Sequence, residues 1–267
     1  VTVRSPHVAG YFYPAEKEAL FNFLSRSIIP GLKKKPAVAI LVPHAGYIYS
    51  GETAAKIYAQ IELTQTVLIL GPNHTGRGTA FSLMKEGVWE TPLGRCPIDQ
   101  NLAGLLLKGP LLSEDLEAHL SEHSIEVQIP FLQYLHSDIQ FVPLTIGTRD
   151  LDKLRQAGQF IGEVLSELEK RVLVVISSDL NHYEDEKTTR EKDQKAISAM
   201  LELDETKLAG MVKKYDVSMC GFAPAYVGLV AIKLLGAKSA DLMDHTTSAL
   251  VSGDYDRVVG YAGMIFE

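Results

Sequence analysis

Three histidines stand where short apolar segments end: His44 in Pro43-His44-Ala45-Gly46-Tyr47, His74 in Gly71-Pro72-Asn73-His74, and His182 in Ser177-Ser178-Asp179-Leu180-Asn181-His182. Neutral imidazoles bind iron, copper, zinc or nickel, and an anionic third donor usually completes a site for a divalent ion. Asp179, Glu126 and Cys220 are the candidates for that donor. Any one of these histidines could equally cap a helix or bond a carbonyl. Five others (His7, His119, His123, His136 and His245) lie elsewhere, so the placement of three at three segment ends points to a shared site.

Cys220, in Ser218-Met219-Cys220-Gly221-Phe222, sits at the entrance of an apolar helical pattern, where unsatisfied N–H groups favour a thiolate. Inert packing is the competing reading, as it is for Cys96. His119, Glu122 and His123 have the His-x-x-Glu-His spacing of an inverted zincin, which requires one continuous helix. Ser124 and Pro130 instead signal a helix beginning nearby, leaving His123 and Glu126 as pocket residues. The glycines from Gly71 to Gly78 match no phosphate-binding pattern and read as a tight turn.

The elements that must position these side chains are legible from periodicity. Apolar or β-branched runs at 37–42, 66–70, 139–144 and 171–176, with Val258–Phe266 near the end, predict strands. Three of them are apolar throughout, as expected of strands covered on both faces, and the intervals are long enough for helical crossovers. Helical spacing marks 15–28, 51–61 (with Ser50 as its cap), 151–168, 188–203, Glu205–Tyr215 and the very apolar 223–235. The expected fold is α/β, with a central, mostly parallel mixed sheet flanked by helices. Ligands collect beyond the carboxyl ends of strands in such sheets, so His44, His74 and His182 can converge.

The 267 residues, 46% hydrophobic and 22% charged, are those of a globular chain, and one domain over 1–267 is expected. A net charge of -7 with one basic run, Lys33 to Lys35, argues against a nucleic-acid partner. The uncharged stretch 219–232 falls short of the roughly 20 residues a bilayer span needs, so no membrane partner is expected. Two cysteines and an N-terminus without an apolar leader suggest the cytoplasm.

Assembled, these segments resemble the Memo family, whose fold is similar to that of the class III extradiol, non-haem iron dioxygenases. The likeness runs through nearly the whole chain: Val8-Ala9-Gly10-Tyr11-Phe12-Tyr13-Pro14, Val42 to Gly51, Gly71 to His74, Trp89-Glu90-Thr91-Pro92-Leu93-Gly94, Glu122-His123-Ser124-Ile125-Glu126, Ser177 to His182, and Met219-Cys220-Gly221. The resemblance implies a metal pocket in which His44, His74 and Cys220 match the family's ligands, with Asp179 and His182 lining the same cleft. The dioxygenases hold iron with two histidines and a carboxylate. Here Cys220 matches the third position, and its softer thiolate widens the plausible metals towards copper and zinc.

The expected function is therefore a metal-dependent redox protein using iron(II) or copper, with His182 and Asp179 as catalytic acid/base candidates and Tyr47, His123 and Glu126 in the pocket. Two alternatives remain open. One is zinc-dependent hydrolysis, with Asp179 or His182 activating a water. The other is a peptide-binding or scaffolding cleft with an aromatic rim of Tyr47, Tyr49 and Trp89. The occupant of the cleft is accordingly a small molecule or a peptide.

Overall fold

The structure is a computed structural model and describes residues 2–267. Its main sheet is built on four parallel neighbours in the order Ala39–Val42, Leu173–Ser177, Thr66–Pro72 and Gln140–Ile146. All four are buried almost throughout, which accounts for their unbroken apolar runs. Antiparallel strands extend both sides. Val258–Phe266 pairs with Ala39–Val42, with Ala240–Thr247 and with His182–Glu184, while Phe81–Leu83 pairs with Gln140–Ile146. A separate three-stranded sheet joins Val3–Arg4, Val88–Thr91 and Gly94–Pro97. The mixed α/β sheet expected from the sequence is thus present, and each of the five expected strands forms within two residues of its expected ends.

Helix Phe222–Leu234 is buried along its whole length from Phe222 to Ile232. It packs between the central strands and Leu151–Ser166. Two glycines permit that approach: a Cβ on Gly158 would lie 2.7 Å from the Cβ of Val230, and one on Gly162 would lie 2.8 Å from Leu234 Cδ1. Alanine at either position would force the helices apart. Among the described residues, no helix is long and apolar enough to cross a membrane.

One local expectation is corrected, and one strand appears where the sequence offered no reading. Ser50 does not cap a helix; it lies inside a π-helical turn, Tyr47–Gly51, and its hydroxyl donates to the Ala45 carbonyl, after which an α-helix runs over Glu52–Tyr58. Strand Ala240–Thr247 was not expected. Its residues are mostly half-buried and include Asp241, Asp244 and His245, so it lacks the apolar signature of the central strands.

Candidate metal centre

His44 lies one residue, Pro43, beyond the strand Ala39–Val42 and is buried. Its Nδ1 lies 3.0 Å from Ser177 Oγ, whose own proton goes to the Ser124 carbonyl at 2.6 Å. Ser177 must therefore accept from His44 Nδ1–H, which leaves a lone pair on His44 Nε2. Gln128 completes the support, donating to both Ser177 Oγ and the Pro43 carbonyl. His74 is held differently. Glu122 accepts from its Nδ1 at 2.9 Å and from its backbone N–H at 2.6 Å, and also from Ser124 N–H. A carboxylate behind an imidazole in this way sets the tautomer and raises donor strength at Nε2.

These two imidazoles meet a third, from His123. One ring nitrogen from each of His44, His74 and His123 lies within 4.8 Å of the others, and the ring centroids are 4.7 to 5.4 Å apart. The three donors that lie within 4.8 Å of one another are the histidines, and Cys220 touches one member of the group, with Sγ 3.2 Å from His44 Nε2. Gly221 makes that approach possible, because a Cβ there would stand 2.3 Å from Ser178 Cβ. Asp179 accepts the His44 backbone N–H at 2.7 Å. The cleft around them has a volume of about 600 Å³ and is also lined by Phe12, His182, Tyr183, Ser218 and Tyr261. A larger hollow of about 790 Å³ opens at the other edge of the sheet, between Thr64 and Arg171, and contains neither histidine nor cysteine.

The charge states follow from burial and partners. Burial holds His44 well below its usual pKa, helped by His123 and His74, and pushes His123 down to about 4. Burial opposes protonation of His74 too, but the hydrogen bond and charge of Glu122 outweigh it and raise the pKa. Burial likewise resists the Glu122 charge, yet His74 overcomes it and brings that carboxyl down to about 2. Burial raises Asp179 to about 7, against the pull of the His44 and Ala45 N–H groups. Cys220 corrects an expectation: burial, reinforced by the Asp179 charge, pushes its thiol well above the usual value, and the N–H groups of Cys220 and Gly221 do not compensate. A thiolate there requires a cation beside it.

The cleft thus brings together His44, His74, His123, Asp179, His182 and Cys220, while Tyr47 and Glu126 lie elsewhere. The Tyr47 ring packs against Tyr13, Phe23 and Phe131, and its hydroxyl donates to the Val127 carbonyl at 2.7 Å. Glu126 is fully buried with Arg4 at 2.6 Å and accepts from His7 N–H, Val8 N–H and Tyr13 O–H. Trp89 is no rim residue either, being buried beneath the Arg4 guanidinium. The N-terminal segment helps to bury all three, with Tyr13 against Tyr47, Arg4 over Trp89, and both Tyr13 and Arg4 bonded to Glu126. His119 stays apart from His123, bonded to the Ser82 carbonyl and Thr145 hydroxyl, with its short helix ending at Leu120. The sequence offers no role for Gln128 or Tyr261, and it marks Ser177, Glu122 and Phe12 only as members of motifs. Only Glu122, a carboxylate next to His123, carried a local signal of a chemical role.

An α/β protein with a histidine-lined cleft at the carboxyl edge of a mixed sheet is the class that this fold and site define. The sequence pattern of the Memo family, described as Memo-like protein, matches residues 4–265. A MEMO1 family protein of Aquifex aeolicus is 44% identical over 99% of both chains, and one of Methanopyrus kandleri is 42% identical over 98% of both. The chain belongs to the Memo family. An uncharacterised Escherichia coli K12 protein of solved structure shares the fold, with a TM-score of 0.56 at 14% identity over 85% of this chain and 98% of that one.

Proposed function

We propose that this protein is a metal-dependent redox protein of the cytoplasm, holding iron(II) or copper between His44, His74, His123 and Cys220. The observation that carries the reading is the cluster itself: three ring nitrogens within 4.8 Å, two of them backed by fixed acceptors for Nδ1–H. Imidazole and thiol donors suit iron, copper and zinc better than the hard cations magnesium or calcium. Both cysteines are free thiols, in keeping with a reducing compartment.

A bound redox ion would supply electron exchange and Lewis acidity at the floor of the cleft. The chain supplies the rest. Phe12 and Tyr261 restrict water, Asp179 holds or releases a proton near neutral pH, and His182 faces the cleft as a proton acceptor. The cleft volume suits a small molecule. Burial of Tyr47 and Trp89 removes two of the three rim residues that a peptide-binding surface would use.

The test is anaerobic purification, loading with Fe(II), Cu or Zn, elemental analysis and a dioxygen electrode. The expected result is one ion per chain, lost in His44→Ala and His74→Ala, with dioxygen uptake for iron or copper. Zinc retention without dioxygen uptake would replace the redox reading with hydrolysis assisted by Asp179 or His182. Failure of every metal to bind would overturn both.

A further inference from the structure

His182 lines the same cleft as the clustered imidazoles, in the irregular strand His182–Glu184. Its Nδ1 is 3.0 Å from the Ser218 carbonyl oxygen. A carbonyl only accepts, so the proton sits on Nδ1 and Nε2 carries a lone pair. That is a determined choice only if Ser218 is itself held still, and the surrounding hydrogen bonds assign every donor in turn. Ser218 Oγ accepts the His182 backbone N–H at 2.7 Å, and its own proton goes to Asn181 Oδ1 at 3.0 Å, the nearer of its two acceptors, the His182 carbonyl lying at 3.4 Å. Asn181 Oδ1 also receives the Ser218 backbone N–H at 3.0 Å. The orientation of that amide is settled by its other end, where Nδ2 donates to Glu184 Oε2 at 2.7 Å, a carboxylate that can only accept and that Lys192 neutralises at 2.7 Å. The backbone N–H of Asn181 is anchored in turn by the buried Asp193 at 2.9 Å.

We propose that Asn181 and Ser218 are positioning residues that lock His182 in the Nδ1–H tautomer, fixing its Nε2 as a proton acceptor for whatever occupies the cleft. The functional weight of the lock rests on the reading of the cleft as an active site; the lock itself does not. It also ties the loop carrying His182 to the loop carrying Cys220, because Ser218 stands two residues before the thiol. The Nδ1–H form is the less favoured tautomer of free histidine, so its presence reports an external constraint. The molecule contains its own control. His119 Nε2 lies 3.1 Å from the Ser82 carbonyl, so by the same reasoning His119 carries its proton on Nε2.

The experiment is long-range proton–nitrogen NMR of the full chain, labelled with nitrogen-15 and free of metal, which reads the protonated nitrogen of each imidazole. The expected result is Nδ1–H for His182 and Nε2–H for His119. Asn181→Ala should lower the ratio of Nδ1–H to Nε2–H at His182 by at least about tenfold, with His119 unchanged. Ser218→Ala should lower it in the same direction, and Ser218→Thr, which keeps the hydroxyl on an exposed residue, should restore it. An Nε2–H tautomer at His182 in the unaltered protein, or an unchanged ratio in Asn181→Ala and Ser218→Ala, overturns the proposal. Should Asn181→Ala fail to fold, the two Ser218 variants decide it. Because no metal is present, failure of the chain to bind iron, copper or zinc leaves this result standing. Metal binding with the proton on Nε2 of metal-free His182 would sink the lock alone.

Discussion

Glu122 and Glu126 lie one helical turn apart in sequence, and both carboxylates are buried. Glu122 turns towards the cleft and spends its oxygens on the ring and backbone of His74 and on Ser124 N–H. Glu126 turns the other way, to Arg4, Tyr13 and the N–H groups of His7 and Val8, and so fastens the N-terminal segment to the body of the protein. Arg4 reinforces the same fastening by donating to the His119 and Glu122 carbonyls. Two buried carboxylates on one short stretch thus do different work. One orients a candidate metal donor, and the other closes the structure that covers it.

Substitution should separate them. Glu126→Gln leaves the buried Arg4 charge without its partner and should cost about 3–5 kcal/mol of stability, measured by urea unfolding. Its effect on metal affinity should be the smaller of the two glutamate variants. Equal loss of metal in both would end the distinction.

The fastened side should also respond to acid, beside His44 and His123 of the cleft. His119, buried behind Arg4, has its pKa pushed from about 6.5 down to about 4 chiefly by burial, with the Arg4 charge adding to it. Between those values the unfolded chain binds the proton and the folded chain does not. The contribution is therefore complete above about pH 6.5 and is lost as pH falls towards 4, amounting to about 3 kcal/mol at 1.36 kcal/mol per unit. Urea midpoints from pH 7 to 4 should show the decline, and His119→Gln should flatten its share of the slope. A slope unchanged in that variant would assign the acid response to other groups.

On the cleft side, Glu122→Gln removes the charged acceptor behind His74 and should weaken metal binding about 10–100-fold, read by calorimetric titration of Zn(II). Unchanged affinity would remove Glu122 from the support of the site. The smallest effect concerns Tyr183, which sits at the cleft mouth with a φ of 62° beside a register shift in its strand. That left-handed conformation places Tyr183 beside His182 in the cleft wall instead of on the opposite face. Tyr183→Gly should raise stability by up to about 1 kcal/mol in thermal unfolding, since glycine adopts this backbone without strain. A fall would mean that the ring's contacts outweigh the strain.

Much of this architecture was legible in the order of residues. Runs such as those ending at Val42, Leu70 and Ile176 are apolar on both faces because helices cover both sides of the sheet, and a residue just beyond such a strand must lie at the carboxyl edge. Local periodicity therefore placed His44, His74 and His182 on one edge and left Cys220 at the head of a buried helix. Strand Ala240–Thr247 escaped because an outer, half-buried strand does not need an apolar run. What no local pattern carries is which partner a polar tip will meet. Whether Glu122 or Glu126 faces the cleft, whether Tyr47 and Trp89 are rim or core, and whether Cys220 ionises all depend on segments distant in sequence, above all the N-terminal residues that bring Arg4 and Tyr13 across the molecule. Only the tertiary structure decided these, because burial and hydrogen-bond partners belong to the packed whole, while periodicity belongs to the chain.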